Sequence, residues 1–262
     1  MDVAERAEDP SHEFVARMNL DDLKSSGASR LILFLDDGGV LNDNSLRRPE
    51  WLRLIGEFMP ARMGGSAEQW ADANGTIWPD MWRDLQKRMA EFGSHEQYQR
   101  RLATDWMRAM CARIGVTAPS DDDAVRLYNE LSSYVAERAI CAIPGAVDAV
   151  RSLHSAGYTL YTASGTTSWE LPGILRRMGI VEMFSGLYGP DVVDHVKHGP
   201  AFYQKVFAHA GVAPAMALVI ESDAECCGWA REAGANAAWI DPDGRGDATS
   251  LEMLVRGMLS EV

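Results

Sequence analysis

The chain has 262 residues, 47% of them hydrophobic, so it can bury one large core or a core with an inserted second domain. Its formal net charge is −13, with 25 lysines and arginines against 38 aspartates and glutamates, which argues against nucleic acids and anionic membranes as partners. No apolar run is long enough to span a bilayer.

The first 29 residues form a polar lead-in, 1–29, in which Phe14, Met18 and Leu23 have the spacing of a short docking helix. Its start, MDVAERAEDPSHEF, is polar and charged, unlike a secretory signal. The cysteines of the chain also lack the spacing of metal ligands. We therefore expect a reduced, cytoplasmic protein.

Short, continuous apolar runs predict the strands of the fold. They occur at 31–35, 158–163, 217–220 and 237–240, as expected for strands buried on both faces of a parallel sheet. Helical patterns separate the last three runs, and each pattern ends at a glycine, the usual residue after a helix. This alternation indicates an α/β fold with a doubly wound, Rossmann-like parallel sheet.

The segment 43–142 interrupts this alternation, because it has the pattern of several amphipathic helices and no convincing strand. One of these helices has Ser120 as its predicted N-cap, with Asp123 three residues later. We therefore predict an all-helical cap inserted into an α/β core made of 30–42 and 143–262. The tryptophans of this segment form the core of the cap, or some of them line a pocket that faces the α/β core. They are Trp51, Trp70, Trp78, Trp82 and Trp106.

Polar and charged residues follow the predicted strands. In an open parallel sheet, ligands bind beyond the carboxyl ends of the strands, so these residues are expected at one edge. A carboxylate there can attack a substrate and form a covalent intermediate, while a divalent cation offsets the charge of a phosphoryl group. A hydroxyl, an ammonium group and loop N–H groups can hold the remaining oxygens. The candidates are Asp36, Asp37, Gly38, Gly39, Thr162, Ser164, Gly165, Lys197, Glu221, Ser222 and Asp223.

These residues carry a resemblance to the haloacid dehalogenase-like (HAD) superfamily over roughly residues 30–245. LFLDDGGVLND resembles the first motif of the family, in which Asp36 matches the nucleophile. The strand that ends in TASG resembles the approach to the second motif, which places its hydroxyl at Ser164. DVVDHVKHGPAFYQ resembles the third motif, with Lys197 as its lysine, and ALVIESDAECCGWAREAG resembles the fourth. The helical cap lies in the gap between motifs one and two, where the family carries such an insert.

The resemblance implies a hydrolase that acts on a small phosphorylated metabolite with Mg²⁺. Asp36 would attack phosphorus, and Lys197 and Ser164 would hold the phosphoryl oxygens. A large cap that closes over the site implies a small substrate. The residues expected to contact the substrate are Gly38, Gly39, Asn42 and Gly165. Those expected to hold Mg²⁺ are Asp36, the backbone carbonyl of Gly38, and Glu221 or Asp223, between which the sequence does not decide.

The chain departs from the phosphatase pattern of the family in two places. The position of the acid–base aspartate is Gly38, and the loss of such a group typically costs about 10²- to 10⁴-fold in rate. The neighbouring Asp37, a cap residue or water is left as its substitute. In the fourth motif, Glu221 and Ser222 stand where the family usually has Gly-Asp or Asp-Asp.

Two alternatives stay open. A dehalogenase-like or phosphonatase-like hydrolase would keep Asp36 as its nucleophile and break a carbon–halogen or carbon–phosphorus bond. Lys87, the sole lysine of the predicted cap, is the residue to test as a Schiff base in that case. A catalytically degenerate member would bind a phosphorylated ligand or a partner without turnover. The substrate and the oligomeric state do not follow from the sequence.

Overall fold

The structure is a computed structural model, and it describes residues 31–260. Its five-stranded sheet has the order β3-β2-β1-β4-β5, and every pair of neighbouring strands is parallel. The α/β fold and the four predicted strands are therefore confirmed, while the predicted docking helix within 1–29 lies outside the described residues. The strands are β1 (Ile32–Leu35), β2 (Leu160–Ala163), β3 (Gly186–Tyr188), β4 (Ala217–Glu221) and β5 (Asn236–Trp239).

The central strand β1 is buried on both faces, which explains its unbroken apolar sequence. Leu33, Phe34 and Leu35 are fully buried. Because successive side chains of a strand point to opposite faces, the two leucines pack into one apolar cluster and Phe34 into another. β1 pairs with β2 on one side and with β4 on the other, so the residues after these strands meet at one edge.

The edge strand β3 was missed by the sequence patterns. Its three residues, Gly186 to Tyr188, are only half-buried and lack a continuous apolar run. It is paired with β2 through Thr162, whose neighbour on β3 is Leu187. A strand this short forms because its partner offers unpaired backbone groups, and that information is not local.

Six α-helices lie between β1 and β2 in the chain, and the first five of them form the helical insert (residues 44–136). The insert has an apolar core of its own, in which Trp70 and Trp106 are almost completely buried. Ser120 caps its last helix by accepting the N–H of Asp123 at 3.2 Å, as predicted. These helices fall within the predicted cap, 43–142, although the division into domains stays a prediction. They are α1 (Asn44–Phe58), α2 (Pro60–Met63), α3 (Ala67–Lys87), α4 (His95–Ile114) and α5 (Asp121–Ala136).

Helices cover both faces of the sheet. α6 and α10 pack on the face of Leu33 and Leu35, and α8 and α9 pack on the face of Phe34. Within residues 31–260, no helix has the length and apolar character that crossing a membrane requires. The helices after the insert are α6 (Ala146–Ser155), α7 (Leu171–Arg177), α8 (Pro200–Ala210), α9 (Ala224–Glu232) and α10 (Leu251–Leu259).

Candidate active site

Asp36 directly follows β1, and its carboxylate lies beside the ammonium group of Lys197. The N–H of Asp36 donates to the carbonyl of Ile220 at 2.9 Å, which extends the pairing of β1 with β4 past the end of the strand. Lys197 Nζ lies 2.8 Å from Asp36 Oδ1, and the two side chains are only 10% and 13% exposed. The predicted nucleophile and the predicted lysine are therefore brought together in a nearly buried ion pair.

Glu221, the last residue of β4, is a second acid on the same lysine. Lys197 Nζ lies 2.8 Å from Glu221 Oε1, and the hydroxyl of Tyr203 on α8 donates to that oxygen at 2.7 Å. The Glu221 side chain is 1% exposed, and among the described residues its Oε2 has no hydrogen-bond partner. Burial raises the pKa of Glu221 to about 8, although Lys197 and Tyr203 act in the opposite direction.

The electrostatics of this cluster follow from one cation between two carboxyls. Burial raises the pKa of Asp36, against the effect of Lys197 and in the same direction as the neighbouring Asp37. Burial alone would lower the pKa of Lys197, but the carboxylates of Asp36 and Glu221 raise it above its ordinary value. The ammonium group therefore stays charged, and the two carboxyls share a single positive charge.

Asp37 has a separate set of partners. Its Oδ1 accepts the hydroxyl of Ser164 at 2.5 Å and that of Thr166 at 3.0 Å. Its Oδ2 accepts from Arg47 Nη1 at 3.2 Å and from Asn42 Nδ2 at 3.4 Å. Burial alone would raise the pKa of Asp37, but Arg47 and the two hydroxyls lower it below its usual range. An ionised Asp37 cannot supply the proton that position 38 lacks.

Ser164 and Asn42, both expected at the substrate, are fully buried in the structure. Besides donating to Asp37, the Ser164 hydroxyl accepts the N–H of Thr166 at 2.9 Å. The amide oxygen of Asn42 lies 3.0 Å from Cys141 Sγ. The structure thus shows both residues as supports of the loop around Asp37, and their contact with substrate stays a prediction.

The loop after Asp36 depends on its two glycines. The hydroxyl of Ser222 donates to the carbonyl of Gly38 at 2.7 Å. Gly39 has φ +76°, and a Cβ on it would lie 2.5 Å from the Ser222 side chain, so a larger residue does not fit. Gly165 is exposed, and a Cβ on it would lie 3.8 Å from Lys197 Cδ. Gly39 therefore lets the backbone after Asp36 pass close to Ser222, and Gly165 adds no side chain beside Lys197.

A cavity of about 270 Å³ lies between the helical insert and the α/β core. Arg47 and Trp51 from α1 line it, together with Cys141, Glu170 and Ile174. Arg47 and Asn42, which also lines the cavity, both donate to Asp37, whereas Asp36 and Lys197 are not part of the lining. One of the five tryptophans of the predicted cap thus lines a pocket, whereas Trp70 and Trp106 form the core of the insert.

The family of the chain follows from a match to known proteins. The family model of the haloacid dehalogenase-like hydrolases matches residues 49–234, which is more than half of the chain. The chain belongs to the haloacid dehalogenase-like hydrolases. No curated protein matches the chain. This membership confirms the family resemblance and the hydrolase class.

Solved structures of HAD-like proteins share the fold at low sequence identity. The HAD-hydrolase YfnB from Bacillus subtilis, described as bound to magnesium, is 19% identical, with a TM-score of 0.63 over 88% of this chain and 100% of that one. The L-2-haloacid dehalogenase PA0810 is 16% identical, with a TM-score of 0.63 over 89% and 100% of the two chains. The L-2-haloacid dehalogenase from Xanthobacter autotrophicus is 17% identical, with a TM-score of 0.55 over 89% and 84%. At this identity the likeness shows the fold alone.

The cluster at Asp36 does not fit the Mg²⁺ site expected from the sequence. The oxygens of Asp36 and Glu221 that would coordinate the ion instead converge on the ammonium group of Lys197. The carbonyl of Gly38, the third expected ligand, accepts the hydroxyl of Ser222. Across residues 31–260, no group of three or more His, Cys, Asp and Glu side chains is placed to hold a metal ion.

Asp223, the fourth expected ligand, lies at the start of α9. It is exposed, and its Oδ1 accepts the N–H groups of Glu225 and Cys226 at 2.7 and 3.2 Å. This is the geometry of a helix N-cap, which already satisfies one carboxylate oxygen. Mg²⁺ binding by this HAD-like hydrolase therefore stays a prediction that the arrangement of these side chains does not support.

Tyr203 is a residue of the site that the sequence patterns do not predict. A tyrosine in an apolar helix pattern is usually a core residue, and Tyr203 is indeed fully buried in the apolar cluster around Phe34. The available signal was its polar end, since a buried tyrosine hydroxyl normally has a partner.

Lys87, the candidate for a Schiff base, is exposed at the C-terminal end of α3.

Proposed function

We propose that this HAD-like hydrolase forms a covalent intermediate on Asp36, with the ammonium group of Lys197 rather than Mg²⁺ beside the nucleophile. The observation that carries this proposal is the 2.8 Å contact between Lys197 Nζ and Asp36 Oδ1 at the carboxyl edge of the sheet. The ammonium favours the ionised, nucleophilic form of Asp36 against the effect of burial, and it fixes the direction of one carboxylate oxygen.

The leaving group decides between substrate classes. Position 38 carries no acid, and Asp37 is held ionised by Arg47, so neither neighbour of Asp36 can protonate a departing alkoxide. A halide leaves without a proton. The first candidate substrate is therefore a small organic halide, which is the alternative that the first motif left open.

In this reaction a carboxylate oxygen of Asp36 attacks the carbon that bears the halogen. A carbon–oxygen bond forms, the carbon–halogen bond breaks, and the halide leaves with the bonding electrons. Water then attacks the carbonyl carbon of the resulting ester, which releases an alcohol, returns Asp36 as a carboxylate and leaves one proton in solution. Lys197 balances the charge of the Asp36 carboxylate before the first step and after the second.

Hydrolysis of a small phosphorylated metabolite, which the family resemblance implies, is the second candidate. The observation that favours it is the buried carboxyl of Glu221, 2.8 Å from Lys197 Nζ, because burial raises its pKa to about 8 and so favours its protonated form near neutral pH. Such an acid can supply the proton that Gly38 does not. This candidate ranks second because the nearby cations Lys197 and Arg47 are already paired with the carboxylates of Asp36 and Asp37, which leaves neither of them free for a substrate dianion.

A small-molecule substrate suits either reaction, because the candidate nucleophile is only 13% exposed and Arg47 of the helical insert binds the neighbouring Asp37. Closure by the helical insert as a cap, the cytoplasmic location and the absence of nucleic-acid and membrane partners stay predictions. The oligomeric state is left open.

A substrate screen separates the candidates. Purified protein is incubated with 2-halogenated carboxylic acids and with phosphate monoesters, each in EDTA and in Mg²⁺, and the release of halide and phosphate is measured. Halide release in EDTA that Asp36→Asn abolishes supports the first candidate, and phosphate release that Asp36→Asn abolishes supports the second. Asp148→Asn, at an exposed residue of α6, is the matched control and should keep full activity. Equal turnover by wild type and Asp36→Asn rules out the proposed nucleophile.

A single turnover of a 2-halogenated carboxylic acid in H₂¹⁸O tests the covalent step of the first candidate directly. With enzyme in excess over this halide, attack of water on the ester carbonyl places ¹⁸O in the Asp36 carboxylate, and the alcohol product keeps an oxygen that came from Asp36. Mass spectrometry of the peptide that contains Asp36 detects the label. Label found only in the product would mean that water attacks the substrate directly, and it would contradict the covalent intermediate.

A further inference from the structure

The loop that carries Lys197 contacts both the α/β core and the helical insert. We define the lysine loop as residues 189–199, between β3 and α8. We propose that Val196 and Asp194 of this loop position Lys197 by fastening the loop to the helical insert. This inference rests on the proposed function of Asp36 and Lys197, and it assigns the two residues a role in assembling that pair.

Val196 packs inside the apolar core of the helical insert. It is 4% exposed, and the other buried members of its cluster all lie between Leu54 and Val135, within the insert. The N–H of His198 donates to the carbonyl of Val196 at 2.7 Å, which holds a tight turn around Lys197. One peptide unit therefore joins a side chain packed in the insert to the ammonium group that contacts the nucleophile.

Asp194 makes a second attachment to the insert. Its Oδ1 accepts the N–H of Glu96, in the first turn of α4, at 3.3 Å. The positive end of the helix dipole favours a carboxylate there. Among the described residues, Asp194 is the only non-glycine residue with positive φ, at 43°, a conformation that aspartate tolerates better than most residues. The loop thus adopts an uncommon backbone conformation where it meets the insert.

The start of α4 is also seated against the α/β core. His95, the first residue of α4, is 5% exposed, and its ring centroid lies 6.3 Å from that of Trp169, which precedes α7. The contacts of Asp194 with Glu96 and of His95 with Trp169 therefore hold the start of α4 against the lysine loop and the segment before α7. Because Lys197 follows Val196 directly, a displaced insert would withdraw the ammonium group from Asp36. The positive charge beside the nucleophile is complete only while the insert is docked.

Val196→Ala tests the apolar attachment. We expect kcat to fall by about 10- to 100-fold, because displacements of about 1 Å have effects of this size, while KM changes little. The matched control is Val125→Ala, the same truncation at a half-buried residue of α5 that packs against the same cluster. It should lower thermal stability as well but leave kcat near that of wild type. Val196→Ile keeps the apolar attachment, so its kcat should stay near that of wild type.

The reactivity of Lys197 gives a readout that does not depend on activity. In wild type, Lys197 is 10% exposed and paired with two carboxyls, so an amine-reactive ester should label it slowly. Val196→Ala should label faster at Lys197, with exposed Lys87 as the internal reference, and Val125→Ala should not. Full activity in Asp36→Asn would remove the proposed function and still leave this labelling result to decide whether the loop positions Lys197.

Asp194→Ala covers the case in which Val196→Ala does not fold, because Asp194 is exposed. It should raise the labelling of Lys197 and lower kcat, while Asp194→Asn keeps an acceptor oxygen and should lie closer to wild type. The proposal is overturned if Lys197 labelling and kcat stay at wild-type values in Asp194→Ala and in folded Val196→Ala.

Discussion

Replacing Lys197 with methionine removes the cation on which two nearly buried carboxyls converge. Its ammonium group lies 2.8 Å from both Asp36 and Glu221, whose side chains are 13% and 1% exposed. Methionine keeps most of the length of the side chain, so the main effect is the loss of the charge. Leaving a buried charge without its partner costs about 3–5 kcal/mol. We expect Lys197→Met to lower the free energy of unfolding by about that amount at about pH 9.

The loss should shrink at lower pH. Burial raises the pKa of Glu221 to about 8, and the pKa rises further without Lys197, which lowers it in wild type. A carboxyl with a higher pKa in the folded than in the unfolded protein takes up a proton on folding. Its stabilising effect is complete below the unfolded pKa, near 4.5, and is lost as the pH rises through the folded pKa. The variant should therefore approach wild-type stability towards about pH 5.

The assay is urea unfolding followed by tryptophan fluorescence at about pH 5, 7 and 9. Lys87→Met, at an exposed residue, is the control and should stay within about 0.5 kcal/mol of wild type at each pH. A loss below about 1 kcal/mol at about pH 9 would mean that the ion pairs of Lys197 contribute no more to stability than exposed surface ion pairs do. An equally large loss at all three pH values would show that packing, rather than charge, explains the effect. Either result would refute the electrostatic interpretation of the cluster.

Further substitutions test the neighbours of the ion pair. Tyr203→Phe removes the hydroxyl that donates to Glu221 at 2.7 Å and should cost about 1.5–3 kcal/mol in urea unfolding at about pH 9. The cost should be smaller near about pH 6, where Glu221 is largely protonated, and equal costs at the two pH values would contradict this prediction. Gly39→Ala would place a methyl group 2.5 Å from Ser222 at φ +76° and should cost about 3 kcal/mol or more, with loss of turnover. Gly115→Ala, at φ +81° with no atom within 4 Å, should cost only about 1–2 kcal/mol, and similar costs at both glycines would argue against the close contact.

The sequence by itself determined most elements of the fold, and it predicted two residues, Asp36 and Lys197, that the structure brings together. Continuous apolar runs predicted four of the five strands, because strands buried on both faces need apolar residues without alternation. The helical insert was visible as a change of periodicity. Asp36 and Lys197 could be named because they lie in segments that resemble the first and third motifs of the family, one directly after β1 and the other in the loop before α8. The strand β3 could not, since its three residues form a strand only through pairing with β2.

Only the tertiary structure decided what the side chains at the sheet edge do. Glu221 was expected to hold a metal ion, but its pairing with Lys197 and Tyr203 depends on how α8 packs against β4. Ser164 was expected at the phosphoryl group, but it donates to Asp37. Val196 belongs to the core of the helical insert because the lysine loop contacts helices that lie much earlier in the chain. No local sequence pattern reports such a contact. Local periodicity reports which face of an element is buried, whereas side-chain direction, desolvation and contacts across layers exist only after the chain has folded.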